Sequence, residues 1–163
     1  LSAPGGGIAN LLVGSPAFGP SIIAGLAAAG VEEGTAEFNL FILAAQTTLD
    51  AADSINFGGF ATLQNHILLH EILGDQVITN RVPDAPLSGT EPLIDAMGLM
   101  SYSDSAFNPN GLGAAVRFTE GDHSSLLSPA ASAAATVEMQ TQMAAFQATG
   151  GTTLNVTNTD VVQ

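Results

Sequence analysis

His123 and Asp75 are the two residues of this sequence whose type and setting could support catalysis. His123 lies in "GDHSSLL", just after the strand-like run "AAVRFTE"; Asp75 lies in "ILGDQVITN", just after the apolar run "NHILLHEIL". A histidine base needs an acid to hold its ring and stabilise the imidazolium, and both need a nucleophile within reach. Each candidate sits on a Gly-Asp exit from a predicted strand. In open parallel sheets, chemistry gathers at the carboxyl ends of the strands, so two such exits would bring acid and base to one edge. The order acid then histidine is that of the last two members of a hydrolase triad on an α/β sheet.

The nucleophile is harder to place. No serine has glycine at both −2 and +2, the pattern of a strand-to-helix nucleophile elbow. Ser15, in "LVGSPAF", follows glycine directly and precedes proline. Ser124 and Ser125 adjoin His123 too closely to be presented by a separate turn, and read as loop caps. Asp122, beside His123, reads as a solvated or turn-bonding residue. The serine is therefore expected upstream of Leu1.

The elements that would position this pair follow from hydrophobic pattern. "LSAPGGG" reads as a strand end running into a glycine turn, as a fragment of a larger fold would begin. "IANLLVGS" and "PSIIAGLAAAGV" read as short helices, the first stopped by Pro16 and Gly19-Pro20, the second capped by Gly30. A long helix is predicted from about Thr35 to Ala52, with Phe38, Phe41, Ile42, Ala45 and Leu49 on one face and acids at its start. "DSINFGGFAT" reads as a loop, and "NHILLHEILGD" as a parallel strand buried on both faces. A proline-rich loop, 83–92, precedes a short helix in "PLIDAMGLM". "NPNGLG" is a turn, "AAVRFTEGD" a second strand, "SAAATVEMQTQMAAFQAT" a helix and "TTLNVTNTDVV" a polar strand or tail. Helices alternating with strands point to the α/β class.

Composition narrows the function. The chain has 163 residues, 46% apolar, enough for a substantial core. Eight aspartates and seven glutamates face only Arg81 and Arg117, giving a net charge of −13. Such a chain has nothing to neutralise phosphates, which argues against nucleic-acid binding and against charge-driven docking on anionic membranes. There is no cysteine, which excludes disulfides and thiol chemistry. No run spans a bilayer and no signal-peptide pattern is visible. "HILLHE" has metal-ligand residue types, but on a strand His66 and His70 would lie roughly 13 Å apart, too far to share an ion. Asp50 and Asp53 offer little support for calcium, and "PGGGI" lacks the lysine of a phosphate loop. Phe18, Phe38, Phe41, Phe57 and Phe60 would pack a core or line an acyl groove.

"LSAPGGGIANLL", "SPAFGPSIIAGLAAAGV", "HEILGDQVITN…LSGTEPLI" and "VRFTEGDHSSLLSP…TVEMQTQMAAF" together resemble the C-terminal half of a bacterial extracellular lipase and lysophospholipase family of the α/β-hydrolase superfamily. The resemblance spans nearly the whole chain. It implies an α/β-hydrolase fold with Asp75 as triad acid and His123 as base. Residues 8–60 would be a cap or lid, helical over 8–53, within one catalytic domain. It implies an acyl-lipid substrate, no cofactor and no metal, a secreted or cell-surface setting, and membrane contact only through substrate. The serine elbow and oxyanion loop would lie N-terminal to Leu1, so the chain alone is expected to be inactive and to accompany its N-terminal half, covalently or as a nicked partner. The competing expectation is a non-catalytic binding or structural module; a Gly-x-Ser-x-Gly segment upstream would separate the two.

Overall fold

In the computed structural model, which describes residues 1–111 and 113–163, the two apolar runs form adjacent parallel strands. Strand β1 (Ile67–Ile72) is buried at every residue, and β4 (Gly113–Phe118) at all but one. They pair from Ile67 opposite Gly113 to Ile72 opposite Phe118. Burial on both faces explains the continuous apolar character of the runs. The sheet order is β1-β4-β2, with β2 (Met100–Ser101) a two-residue parallel edge. On the other side of β1, Ser2 makes a parallel bridge to His70, with His70 N donating to Leu1 O and Ala3 N to His70 O. The opening residues thus lie alongside β1 through a single bridge rather than as a strand of their own.

Successive strand residues face opposite sides, and each side has its own cover. Leu68, Ile72, Val116 and Phe118 pack against Ala135, Met139 and Phe146 of α6 (Ala133–Ala148) and against Leu154, Val161 and Val162 of the C-terminal segment. Ile67, Leu69 and Ala115 pack against Leu93, Ile94 and Met97 of α5 (Thr90–Met97). The chain is therefore mixed α/β, with a small parallel sheet between helices. A separate cluster joins α1 (Ile8–Gly14) and α3 (Ala36–Leu49) through Ala9, Phe38 and Ile42, with Leu26 of α2 (Gly19–Ala28) packed against them. No single helix among the described residues is long and apolar enough to cross a membrane; α1 and α2 together pass that test but are bent by 98°.

Three readings change. "DSINFGGFAT" is not a loop: Ser54–Gln64 forms helix α4, with the Asp53 carboxylate accepting from Ile55 N at its cap. The Gly58-Gly59 pair suggested a turn, but Gly58 lies against α5, where an added Cβ would sit 3.0 Å from Met97 Cγ. Here glycine permits close helix contact, which outweighs its poor helix propensity. The long helix stops at Leu49 rather than Ala52, because Asp53 must cap the next one. Its apolar face is also narrower than its pattern, since Phe41 is 45% exposed while Phe38 and Ile42 are buried. The C-terminal run, read as a polar strand or tail, forms β5 (Thr153–Leu154), antiparallel to β3 (Ala106–Phe107), then a 3-10 turn at Thr159–Val161 and a bridge from Val162 to Phe118. Of the "NPNGLG" turn, Pro109–Gly111 is a 3-10 turn and Leu112 lies outside the described residues.

A buried polar chain crosses the α6 side of the sheet. His70 Nε2 meets Gln142 Oε1 at 3.1 Å, Gln142 Nε2 donates to Glu138 Oε1 at 2.7 Å, and Glu138 accepts from Thr157 N, Thr157 Oγ1 and Asn158 N. Because the Gln142 amide nitrogen faces Glu138, its oxygen faces His70, so His70 carries its proton on Nε2. Burial lowers the His70 pKa to about 3, against the opposing bond from Gln142. A histidine kept neutral in the fold leaves stability intact above its ordinary pKa of 6.5 and costs stability as pH falls from there toward 3. In urea titrations between pH 6.5 and 4, His70→Asn should therefore lose stability less steeply than the parent; parallel slopes would contradict the assignment.

Candidate active site

The pairing of β1 with β4 sets the two exits side by side, and both sequence-predicted site residues meet there. Asp75 Oδ2 lies 2.9 Å from His123 Nδ1, across 48 residues of sequence. The acid side chain is 1% exposed and the histidine side chain 36%, so the carboxylate is sealed behind a ring that solvent reaches. Asp75 spends its other oxygen locally: Oδ1 accepts from Val77 N at 2.7 Å and Ile78 N at 3.2 Å. This is the self-bonding turn that aspartate favours, and it leaves Oδ2 for the imidazole. An ionised carboxylate only accepts, so Nδ1 carries the proton and Nε2 of the neutral ring keeps a lone pair. Among the described residues no group hydrogen-bonds Nε2.

The loop bearing His123 is closed by its neighbours. Asp122 N donates to Ser125 Oγ at 2.7 Å, Ser124 N donates to Asp122 Oδ1 at 2.8 Å, and Thr136 Oγ1 of α6 donates to Ser125 O at 2.6 Å. Ser125 is fully buried. The two serines and Asp122 thus shape the turn, while the imidazole leans away to Asp75. Ser15 is also buried: its hydroxyl donates to Val77 O at 2.7 Å and ties the end of α1 to the Asp75 loop.

Other candidates separate. His66 is exposed just before β1, and His70 is buried within it. Among the described residues no group of three or more His, Cys, Asp or Glu could hold a metal ion. Asp53 is occupied: it accepts from Gly7 N, Ile8 N, Ile55 N and Gln46 Nε2, and Gln46 also reaches Asp50. Burial opposes the Asp53 charge, but these donors outweigh it and hold the carboxyl below the ordinary range. Of the phenylalanines considered for an acyl groove, Phe38 is buried, while Phe18, Phe41, Phe57 and Phe60 are exposed.

Sequence reasoning missed the cluster beneath the exits. Glu71 and Arg117 face each other across β1 and β4, and Arg117 forms a two-pronged pair with Glu91 at 2.8 and 2.7 Å. The Arg117 Nε–H is aimed at Glu91, so Glu71 Oε2 lies 3.0 Å from the charge yet has no hydrogen bond of its own. The other Glu71 oxygen accepts from Asn80 Nδ2 at 2.7 Å. Burial and the neighbouring Glu91 charge raise the Glu71 pKa to about 7, more than Arg117 and Asn80 lower it. The one sequence signal was an acid and an arginine inside otherwise apolar strands.

Comparison with protein-family models, curated proteins and solved structures returns no match. A carboxyl held protonated in the fold stabilises fully below its ordinary pKa of 4.5, and that contribution is lost as pH rises through about 7. Glu71→Gln should abolish this part of the decline between pH 4.5 and 8, measured as the shift in urea midpoint relative to the parent. An unchanged decline would place the titration elsewhere.

Proposed function

We propose that this chain supplies the acid and base of a serine carboxylic-ester hydrolase of the α/β-hydrolase fold, with an acyl lipid as substrate. The observation that carries the proposal is the 2.9 Å bond from a sealed carboxylate to Nδ1 of a half-open histidine, on the exit loops of two adjacent parallel strands. That arrangement fits a triad acid and base, with Nε2 left to accept from an incoming serine hydroxyl. In the reaction, a serine Oγ attacks the ester carbonyl while His123 Nε2 takes its proton, and Asp75 stabilises the imidazolium. The tetrahedral intermediate then expels the alkoxide, which recovers the proton from His123. Water repeats the sequence on the acyl-enzyme and releases the carboxylic acid.

Two features support a serine supplied by a further part of the protein. No serine here has the elbow pattern, and Ser125, two residues from His123, is buried with its hydroxyl bonded to Asp122. An open apolar groove of about 460 Å³, lined by Leu1, Ile67, Leu68, Met97, Met143 and Phe146, flanks the start of β1. A surface of this kind suits the edge of a continuing sheet. The acyl preference rests on the family resemblance and on exposed Leu40, Leu43, Phe60 and Leu63 of α3 and α4.

In protein that includes the serine-bearing half, His123→Ala and Asp75→Asn should each lower kcat for p-nitrophenyl acyl esters by roughly four orders of magnitude. The fold should persist by circular dichroism. A fluorophosphonate probe should label that protein and leave the present chain unlabelled. Undiminished turnover in either variant, or labelling of this chain alone, would overturn the reading.

A further inference from the structure

Asp75 is held by its own loop, but the loop must itself be fixed to the strand for the carboxylate to meet His123. The donors on Oδ1, Val77 and Ile78, belong to the same loop and would move with it. The return of the loop is sewn outward to the start of α5, with Thr90 N donating to Thr79 O and Glu91 N to Asn80 O. The far side of the loop is tied to the end of α1, with Ala17 N donating to Gln76 O at 2.9 Å and Ser15 Oγ to Val77 O at 2.7 Å. The strand exit is tied to β4 by Leu73 N donating to Phe118 O, and the main-chain bond from Asp75 itself back to β1, Asp75 N to Ile72 O, is long at 3.3 Å. Asn80 makes the connection inward. Its Oδ1 accepts from Gly74 N at 2.7 Å, and its Nδ2 donates to Ile72 O at 2.8 Å and to Glu71 Oε1 at 2.7 Å. One side chain therefore clasps the neck of the loop, joining the residue before Asp75, the last residue of β1 and the buried carboxyl beneath.

From this geometry we infer that Asn80 is a positioning residue for the Asp75–His123 pair: its amide fixes the loop so that Asp75 Oδ2 is aimed at the imidazole. The inference deepens the proposed function and rests on it for its catalytic meaning, though not for its structural test. An amide is suited to the task because one group both accepts from the loop and donates to the strand. Aspartate would place a carboxylate against Glu71, and leucine would leave Gly74 N and Ile72 O without this partner.

The Nδ1–H proton of His123, held by Asp75, is the readout: it gives a downfield imidazole resonance whose solvent exchange can be measured. Asp75→Asn identifies the resonance by removing the acid. In folded Asn80→Ala, exchange should speed up by about tenfold or more, the scale of losing one hydrogen bond at a buried site. Ser88→Ala, which removes a buried bond to Gly7 O elsewhere, should leave it unchanged. Parental exchange in Asn80→Ala, or equal acceleration in Ser88→Ala, would overturn the inference. If Asn80→Ala does not fold, Asn80→Ser, which removes the same three amide contacts with a smaller loss of volume and polarity, decides. Exchange should speed up in the folded variant, and parental exchange there refutes the role. In protein containing the serine, Asn80→Ala should lower kcat with KM unchanged. Absence of ester turnover in the parent would defeat the proposed function while leaving the resonance result standing.

Discussion

The parallel pairing of β1 with β4 is the constraint on which the rest of the structure depends. With Ile72 opposite Phe118, the two strands end level, and the loops that follow them open at the same edge. Everything distinctive about the candidate site follows from that alignment. A buried acid can reach a histidine 48 residues away because the sheet has already brought their loops together. The interior faces contribute by fixing the strands in one register. A one-residue slip of β1 would turn Leu69 away from Ala115 and bury His70 and Glu71 on the wrong sides.

Two polar systems sit in this otherwise apolar frame, one on each face of the sheet. On the α6 side, His70, Gln142 and Glu138 link β1 to the C-terminal segment through Thr157 and Asn158. On the α5 side, Glu71, Arg117 and Glu91 lie under the exits, with Asn80 joining them to the Asp75 loop. Both systems respond to pH, in opposite senses. Neutral His70 favours the fold as pH rises toward 6.5, whereas the raised Glu71 pKa favours it as pH falls below 7. Arg117 meets two carboxylates with one charge, and burial together with the Glu91 charge makes Glu71 the member whose pKa is raised.

How much of this was legible depended on the range of the signal. The two strands and α6 were readable because their apolar character is local and continuous, and the Gly-Asp exits followed directly from them. α4 was not, since a glycine pair means a turn unless the partner helix that demands it is known, and Met97 lies far along the chain from Gly58. β2 is two residues long, too short to carry a period. The polar systems were hidden for a deeper reason. Glutamine, glutamate and asparagine look like surface residues until the fold places them 2.7 Å from one another or 2.8 Å from a buried carbonyl. Asp75 and His123 stood out by position, whereas Asn80 has no positional mark beyond closing the same loop.

Gly113 opens β4 at a φ of 146°, and a Cβ there would fall 1.9 Å from Ile67 O. The start of β4 can approach β1 this closely only because position 113 carries no side chain. The smallest slip that keeps each strand face on its own core is two residues, about 6.6 Å along the strand. Such a slip would carry one exit loop past the other by more than twice the Asp75–His123 separation of 2.9 Å. The sheet therefore behaves as a ruler whose zero mark is at its amino end and whose reading is taken at its carboxyl end. The close approach that sets the mark lies a full strand length away from the two side chains it aligns.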